Sequence, residues 1–432
     1  MFLNYYYNNI IIYTLGILAS LVPFLLFTGP AIPDILVSFT GLLFILHLIL
    51  NKKFKEYFYN KYSLVFIIFY SVMLLSSILS ENIFYSLSSS LFYFRFFVFS
   101  ICIYFLCKET KFFLKLFFSL LIIIFLLHYI NSVYQNYNHI DFFGNHIVRI
   151  NRVSGLFGLE LVLGSFISRL LPLLIALCFL LLFKNSVLKQ FLLFNFIFIF
   201  LTYLILLSGE RSSIFYFVLT FVLINIIFIK HDFRFVISIF IYFIFFIIFV
   251  FFNENFYNRI LSTTINQFTG VSNHANVDLN NKDQNFDELV NTDTKKIYLY
   301  SYYHEKMIFN SLEIFKKYPI IGSGPKTYRI ECKKTKIIDG CGTHPHNFYL
   351  QLLSETGILG FGIIFFLYLF TFFYFIKKIF AKNSINNLVS LTILVSFLIN
   401  LFPFLPTGQL FNNFLSILIY LPLGFYIYFN NE

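Results

Sequence analysis

Charge is scarce in this 432-residue sequence: Asp, Glu, Lys and Arg make up 12% of it, about half the share of a soluble domain. Together with 59% hydrophobic residues and a mean hydropathy of +0.80, this excludes a soluble enzyme, a disordered chain, collagen and a small disulfide scaffold. Tryptophan is absent, which leaves interfacial belts to tyrosine. Clusters such as Tyr5, Tyr6, Tyr7 and Tyr57, Tyr59, Tyr62 lie at the ends of apolar runs, where such belts belong. No Asp-x-Asp motif occurs, so no carboxylate cluster suited to a divalent ion is visible, and no metal or other cofactor is expected. No internal repeat is visible either.

What is present is apolar sequence in span-sized pieces. A hydrocarbon core of about 30 Å needs about 20 apolar residues per helix. Stretches near that length fall at about residues 10–27, 32–50, 63–79, 89–107, 112–130, 161–183, 187–208, 212–229, 235–252, 357–376, 385–402 and 409–428. The expected fold class is therefore all-α, a polytopic membrane protein of about twelve transmembrane helices with one large loop. Most of the 66 phenylalanines lie inside these runs and read as lipid-facing or packing side chains. The first run lacks a preceding basic residue and a cleavage-like small-residue site, so it reads as a retained helix.

The short connections alternate in charge. Every second one is basic, from Lys52, Lys53, Lys55 and Lys61 to Lys377, Lys378 and Lys382, and together these hold 14 Lys or Arg. The intervening short connections hold only Arg149, Arg152 and Arg211. The positive-inside rule places the lysine side and both termini in the cytoplasm. The formal net charge of +11 is thus chiefly a topology signal, and no nucleic-acid partner is implied.

This reading divides the chain into nine N-terminal transmembrane helices over 1–252, a large periplasmic loop over 253–356 and three C-terminal helices over 357–432. The loop is nearly neutral and far longer than an ordinary connection, which marks it as a functional unit. Its first part is rich in Asn and Asp. Its second part contains a predicted helix from about Tyr302 to Lys317, with Tyr303, Met307, Ile308, Leu312 and Phe315 on one face, ended by Pro319 and lying at the membrane surface. Cys332 and Cys341, in "ECKKTKIIDGCG", are a candidate disulfide in an oxidising compartment. Cys102, Cys107 and Cys178 fall in or beside spans and read as small apolar side chains.

The chemistry-bearing stretch is "CGTHPHNFYLQLLSETGILGFG", residues 341–362. Pro345 restricts His344 to an extended conformation and suits a first helical position, which predicts a helix start with His346 in its first turn. A helix N-terminus favours a neutral imidazole and a nearby anion. Gly357 and Gly360 would let another helix approach closely. A lone histidine of this kind more often simply caps a helix.

Here it has company. His346 and Asn347, the nine residues "FYLQLLSET", Gly357, two residues and Gly360 complete a pattern that resembles the signature of the O-antigen ligase family. The wider superfamily includes O-antigen polymerases and protein O-oligosaccharyltransferases. "YPIIGSGPKTY" (318–328), "LLSGERSSIF" (206–215) and "RVSGLFGLELVLGSF" (152–166) resemble weaker motifs of the same family. The resemblance covers about residues 150–376 and implies a C-type glycosyltransferase architecture in the bacterial inner membrane.

It further implies transfer of a glycan from a polyprenyl-diphosphate-linked donor to an acceptor hydroxyl, and the missing carboxylate clusters make that transfer metal-independent. The acceptor would be the lipid A core for a ligase, or another glycan. His346 matches the general base, and Asn347 is a substrate-binding candidate beside it. Arg211 is the first candidate for the departing diphosphate, although pairing with Glu210 or lipid phosphate would also explain it. Arg152, Arg149 and Arg329 follow, and Lys326 adds charge nearby. Arg95 and Arg169 lie within predicted spans and could be functional, snorkel, or pair with an acid such as Glu160. His344 reads as supporting and Glu355 as orienting another group. A polymerase, a protein glycosyltransferase and, from another class, a transporter or flippase remain open; the lack of repeated halves speaks against the last.

Overall fold

A computed structural model describes residues 2–147, 152–182, 186–252, 254–262, 264–266, 300–337, 340–381 and 384–431. Arg149 and the Asn- and Asp-rich stretch at 267–299 lie outside the described residues. The N-terminal helices are α1 (Phe2–Phe24), α2 (Ala31–Leu50), α3 (Phe54–Phe58), α4 (Lys61–Ile78), α5 (Ile83–Ser90), α6 (Phe94–Glu109) and α7 (Lys111–Asn138). After a loop come α8 (Leu163–Leu181), α9 (Val187–Ser208), α10 (Arg211–Ile229), α11 (Phe235–Phe251) and the single turn α12 (Glu254–Tyr257). The large loop contributes α13 (Tyr302–Lys317) and α14 (Tyr328–Glu331), and the chain finishes with α15 (Phe348–Ile379), α16 (Ile385–Asn400) and α17 (Asn413–Asn431).

No strand occurs among the described residues beyond one isolated bridge between Ile140 and His146. In lipid every backbone amide must be satisfied internally, and helices do that within one segment. Among the described residues ten helical stretches are long and apolar enough to cross a membrane, and Phe235–Phe251 and Ile385–Asn400 are shorter apolar helices. The protein is an all-α, polytopic membrane protein. Helix starts follow from local chemistry: Asn60 Oδ1 accepts the Tyr62 and Ser63 amides, and Ser301, Thr110 and Ser384 cap α13, α7 and α16 in the same manner.

The bundle centres on α8, 89% of whose apolar window is buried, packed by α16, α10, α9 and α7. The α17 helix packs against α6 and α16. Two sites depart from a plain span pattern. The predicted span at 89–107 is a short α5, a turn at residues 91–93 and then α6, so Arg95 sits in the first turn of a helix rather than deep in the bilayer. There it pairs with Asp34 at 2.7 Å and donates to Asn413 at 3.1 Å. In α15 the backbone breaks at Gly357, with φ 65° and ψ −166°.

The α13 helix spans the predicted residues but turns a different face inward: Asn310, Ser311 and Ile314 are buried, whereas Tyr303 is exposed. The reason is its packing partner, a small cluster of Ile314, Tyr328 and Cys332. Polar edges of that cluster hold Asn310 through Thr335. Cys332 and Cys341 are joined by a disulfide with Cα atoms 5.4 Å apart.

Candidate functional site

The four motif segments of the sequence interlock in two pairs. In the first, Val153 donates its amide to Leu207 O at 3.0 Å, and Gly164 lies so close to Ser208 and Ser213 that a Cβ would meet their side chains at 2.6 and 2.8 Å. Glu210 does not spend its carboxylate on the neighbouring arginine alone. Its oxygens accept the Gly164 amide at 2.8 Å, the Ser165 amide at 3.2 Å and the Ser213 hydroxyl at 3.0 Å, which satisfies the exposed amides at the start of α8. Burial raises the Glu210 pKa, and the Arg152 charge opposes that rise.

In the second pair the glycine turn at 318–328 lies against the break in α15. Gly322 faces the peptide between Glu355 and Thr356, and Gly357 faces Ile320 O, each at 2.3 Å from an added Cβ. The kink frees carbonyls and amides that the turn then takes up: Ser323 N donates to Ser354 O at 3.0 Å, Gly324 N to Glu355 O at 2.9 Å, and Ile358 N to Pro319 O at 2.9 Å. The buried Glu355 side chain accepts the amides of Lys326 at 2.8 Å and Tyr328 at 2.9 Å, and the Gln351 side chain at 2.9 Å. Gln351 in turn accepts the Leu410 amide at 3.0 Å. Gly357 therefore admits a loop rather than another helix, and Glu355 orients a backbone.

The histidine sits ahead of the helix, not in its first turn. Asn347 is the cap of α15, its Oδ1 accepting the Tyr349 and Leu350 amides at 2.9 and 3.1 Å. Its amide nitrogen reaches Pro403 O at 2.8 Å and Leu405 O at 3.2 Å. Asn is a better cap than His, so the helix starts at Phe348, three residues later than the proline suggests. His346 precedes the cap in the left-handed conformation, φ 51°, held by Thr407 N donating to its carbonyl at 2.7 Å. This turns the imidazole outward onto an exposed wall.

Three rings gather there. The His346 and His344 ring centroids are 4.3 Å apart, and those of His346 and His304 are 5.6 Å apart. His304 comes from the first turn of α13, where Ser301 Oγ meets its Nδ1 at 2.7 Å. Surrounding protein lowers the pKa of His346 below the ordinary imidazole value. Burial, with the His346 charge, takes both His304 and His344 down to about 4; Arg211 adds to the effect on His304 and Arg329 to that on His344. These histidines are neutral at neutral pH. His344 Nε2 and Arg329 Nε are buried without a hydrogen-bond partner among the described residues.

The cations reach the site from two sides. Arg211 opens α10, donates to Thr264 at 3.2 Å and lies within electrostatic reach of His304. Arg152 donates weakly to Ser208 O at 3.4 Å and neighbours Glu210 and Arg211. Lys326 and Arg329 approach His344 from the glycine turn, where burial and the Arg329 charge lower the Lys326 pKa. Arg169 lies deeper, buried within the bundle against Asn400 at 2.5 Å, Ser165 at 3.1 Å and the Tyr216 ring, within electrostatic reach of Glu210, with Glu160 exposed. His304 was missed by sequence reasoning; its only signal was a histidine one turn into a capped helix of the same loop. Among the described residues no group of three or more His, Cys, Asp or Glu could hold a metal ion.

Fold and site together define a polytopic membrane protein with a histidine- and arginine-lined polar site at one end of its bundle. Residues 196–365 match the family model described as O-antigen ligase, and the match supports that family for this chain. It spans α9 to α15 and contains Arg211, His304, Arg329, His344, His346 and Asn347, while Arg152 and Arg169 precede it. Members of the family are membrane enzymes of the glycosyltransferase kind. No curated protein matches the chain.

Proposed function

We propose that the protein is an O-antigen ligase that transfers O-polysaccharide from a polyprenyl diphosphate carrier to the lipid A core. The reaction takes place at the periplasmic face of the inner membrane, with both termini cytoplasmic and the 253–356 loop periplasmic. The observation that carries this reading is the exposed, weakly basic His346 ring grouped with two further histidines beside the buried His344 Nε2 and Arg329 Nε, which lack hydrogen-bond partners among the described residues.

In the proposed step the acceptor hydroxyl attacks the donor anomeric carbon in line. His346 takes the hydroxyl proton, the new carbon–oxygen bond forms, and the bond to the diphosphate breaks with inversion. A neutral imidazole is the form that can accept that proton. Arg211, Arg152 and Arg329 neutralise the charge on the departing diphosphate, and their guanidinium forks suit its paired oxygens. Asn347 sets the position of His346 by capping the helix that follows it. The step needs no metal, so a chelator leaves transfer unchanged; loss of transfer on chelation with rescue by magnesium would reject that part.

Lipopolysaccharide from a deletion strain tests the assignment. A bare core with polymer accumulating on the carrier supports a ligase. A single repeat on the core assigns the protein as a polymerase, and an intact lipopolysaccharide with a missing glycoprotein assigns protein glycosylation.

A further inference from the structure

The membrane half of α15 beyond the Gly357 break borders a cavity of about 570 Å³, enclosed with α4, α6, α16 and α17. This volume is in the range of ligand sites. Phe66, Phe97, Ile363, Leu367, Leu394 and Leu423 give it an apolar wall. It opens sideways past Ile68, Phe366 and Phe370, which line it and are 47%, 68% and 66% exposed. The lining residues of α15 run from Ile363 to Tyr374, a rise of about 16 Å at 1.5 Å per residue. That is about half of a hydrocarbon core. On α15 the lining lies beyond the break and runs toward the lysine-rich end, while Tyr93, Leu401 and Leu410 close the cavity at the end nearer His346.

Its far end is polar and cationic. Lys61, Tyr62, Tyr374 and Tyr426 line it. Asn430 ties this end together: Tyr374 donates to its Oδ1 at 3.1 Å, Lys378 Nζ at 2.7 Å, and its own amide reaches Tyr62 Oη at 3.4 Å. Lys378 also donates to Ser390 at 2.6 Å and lies over the Tyr374 and Tyr426 rings. Lys61 lies over Tyr62 at 5.2 Å. Neither lysine has a carboxylate within 4.0 Å among the described residues, whereas Lys108, Lys317 and Lys334 all do. Both stand at the lysine-rich ends of their helices.

We infer that this cavity holds an anionic phospholipid of the lysine-side leaflet, its acyl chain between α4 and α15 and its phosphate on Lys61 and Lys378. The charge at the mouth selects the headgroup, and the place of Lys61 and Lys378 at the lysine-rich helix ends selects a lipid anchored in that leaflet. A phosphate there accepts hydrogen bonds from two ammonium groups and neighbouring tyrosine hydroxyls, which a neutral headgroup matches less well. The inference does not depend on the identity of the glycan or acceptor.

The test uses the full-length protein in nanodiscs of equal phosphatidylglycerol and phosphatidylcholine, released for native mass spectrometry. Wild type retains one phosphatidylglycerol in preference to phosphatidylcholine. Lys61→Gln, at an exposed position outside the packed core, lowers that preference roughly five-fold, as about 1 kcal/mol per lysine requires, and Lys378→Arg retains it. Equal retention of the two lipids, a preference unchanged by Lys61→Gln, or displacement of phosphatidylglycerol by an added polyprenyl phosphate would overturn the inference.

Discussion

The Tyr328 amide donates to Glu355 Oε1 at 2.9 Å, joining the glycine turn of the large loop to the kinked helix that follows His346. With the Lys326 amide on the other oxygen, one carboxylate fixes where both Lys326 and Arg329 emerge. Glu355→Ala leaves two buried amides unpaired. The expected cost is about 2–4 kcal/mol of stability, with a fall in transfer activity. Thermal unfolding in detergent checks it; a variant as stable as wild type would show that water replaces the carboxylate.

Gly357 combines φ 65° with an Ile320 carbonyl 2.3 Å from where a Cβ would stand. Gly357→Ala should therefore cost at least about 2 kcal/mol, from left-handed strain and displaced backbone together. Gly362→Ala, five residues on, meets only the Phe366 ring at 4.0 Å and should be near neutral. Comparing the two by thermal melting separates the kink from general helix effects.

The Cys332–Cys341 bond closes a loop of nine residues' separation beneath α13. Replacing both with Ser should lower stability by about 2–3 kcal/mol by the loop-closure relation. The same double variant should increase protease cleavage between α14 and His344. Identical melting of oxidised and reduced wild type would contradict this.

Much of the fold was legible because lipid imposes one simple rule, runs of apolar residues with polar ends, and each of the twelve runs is helical. Local chemistry that competes within a run was harder to see. The break between α5 and α6 and the left-handed Gly357 interrupt stretches whose hydropathy is continuous. The site was legible in pieces: His346, Asn347 and the glycines follow one another in sequence, and "LLSGERSSIF" marks Arg211. Its assembly was not, since His304 lies 42 residues before His346 and reaches it because α13 packs against α15 as well as on Tyr328 and Cys332. The face that α13 buries carries Asn310 and Ser311, which an apolar stripe cannot reveal.

Acid should destabilise the loop. His304 and His344 have pKa values near 4 in the folded protein against 6.5 as the ordinary value, so the unfolded chain binds more protons between these limits. Stability is full above about pH 6.5 and falls as pH drops toward 4. Melting temperatures between about pH 7 and 5 check the slope, and His304→Gln with His344→Gln should flatten it.

The central claim is that neutral His346 removes the acceptor proton. Purified wild type and His346→Gln, reconstituted with a polyprenyl-diphosphate-linked glycan and an acceptor, measure it directly when transfer is followed against pH. The expected result is a loss of about 10²–10⁴-fold in the variant at unchanged melting temperature, with the wild-type acid limb below the ordinary imidazole pKa and absent from the residual activity. A folded His346→Gln protein that transfers glycan at the wild-type rate would contradict the account.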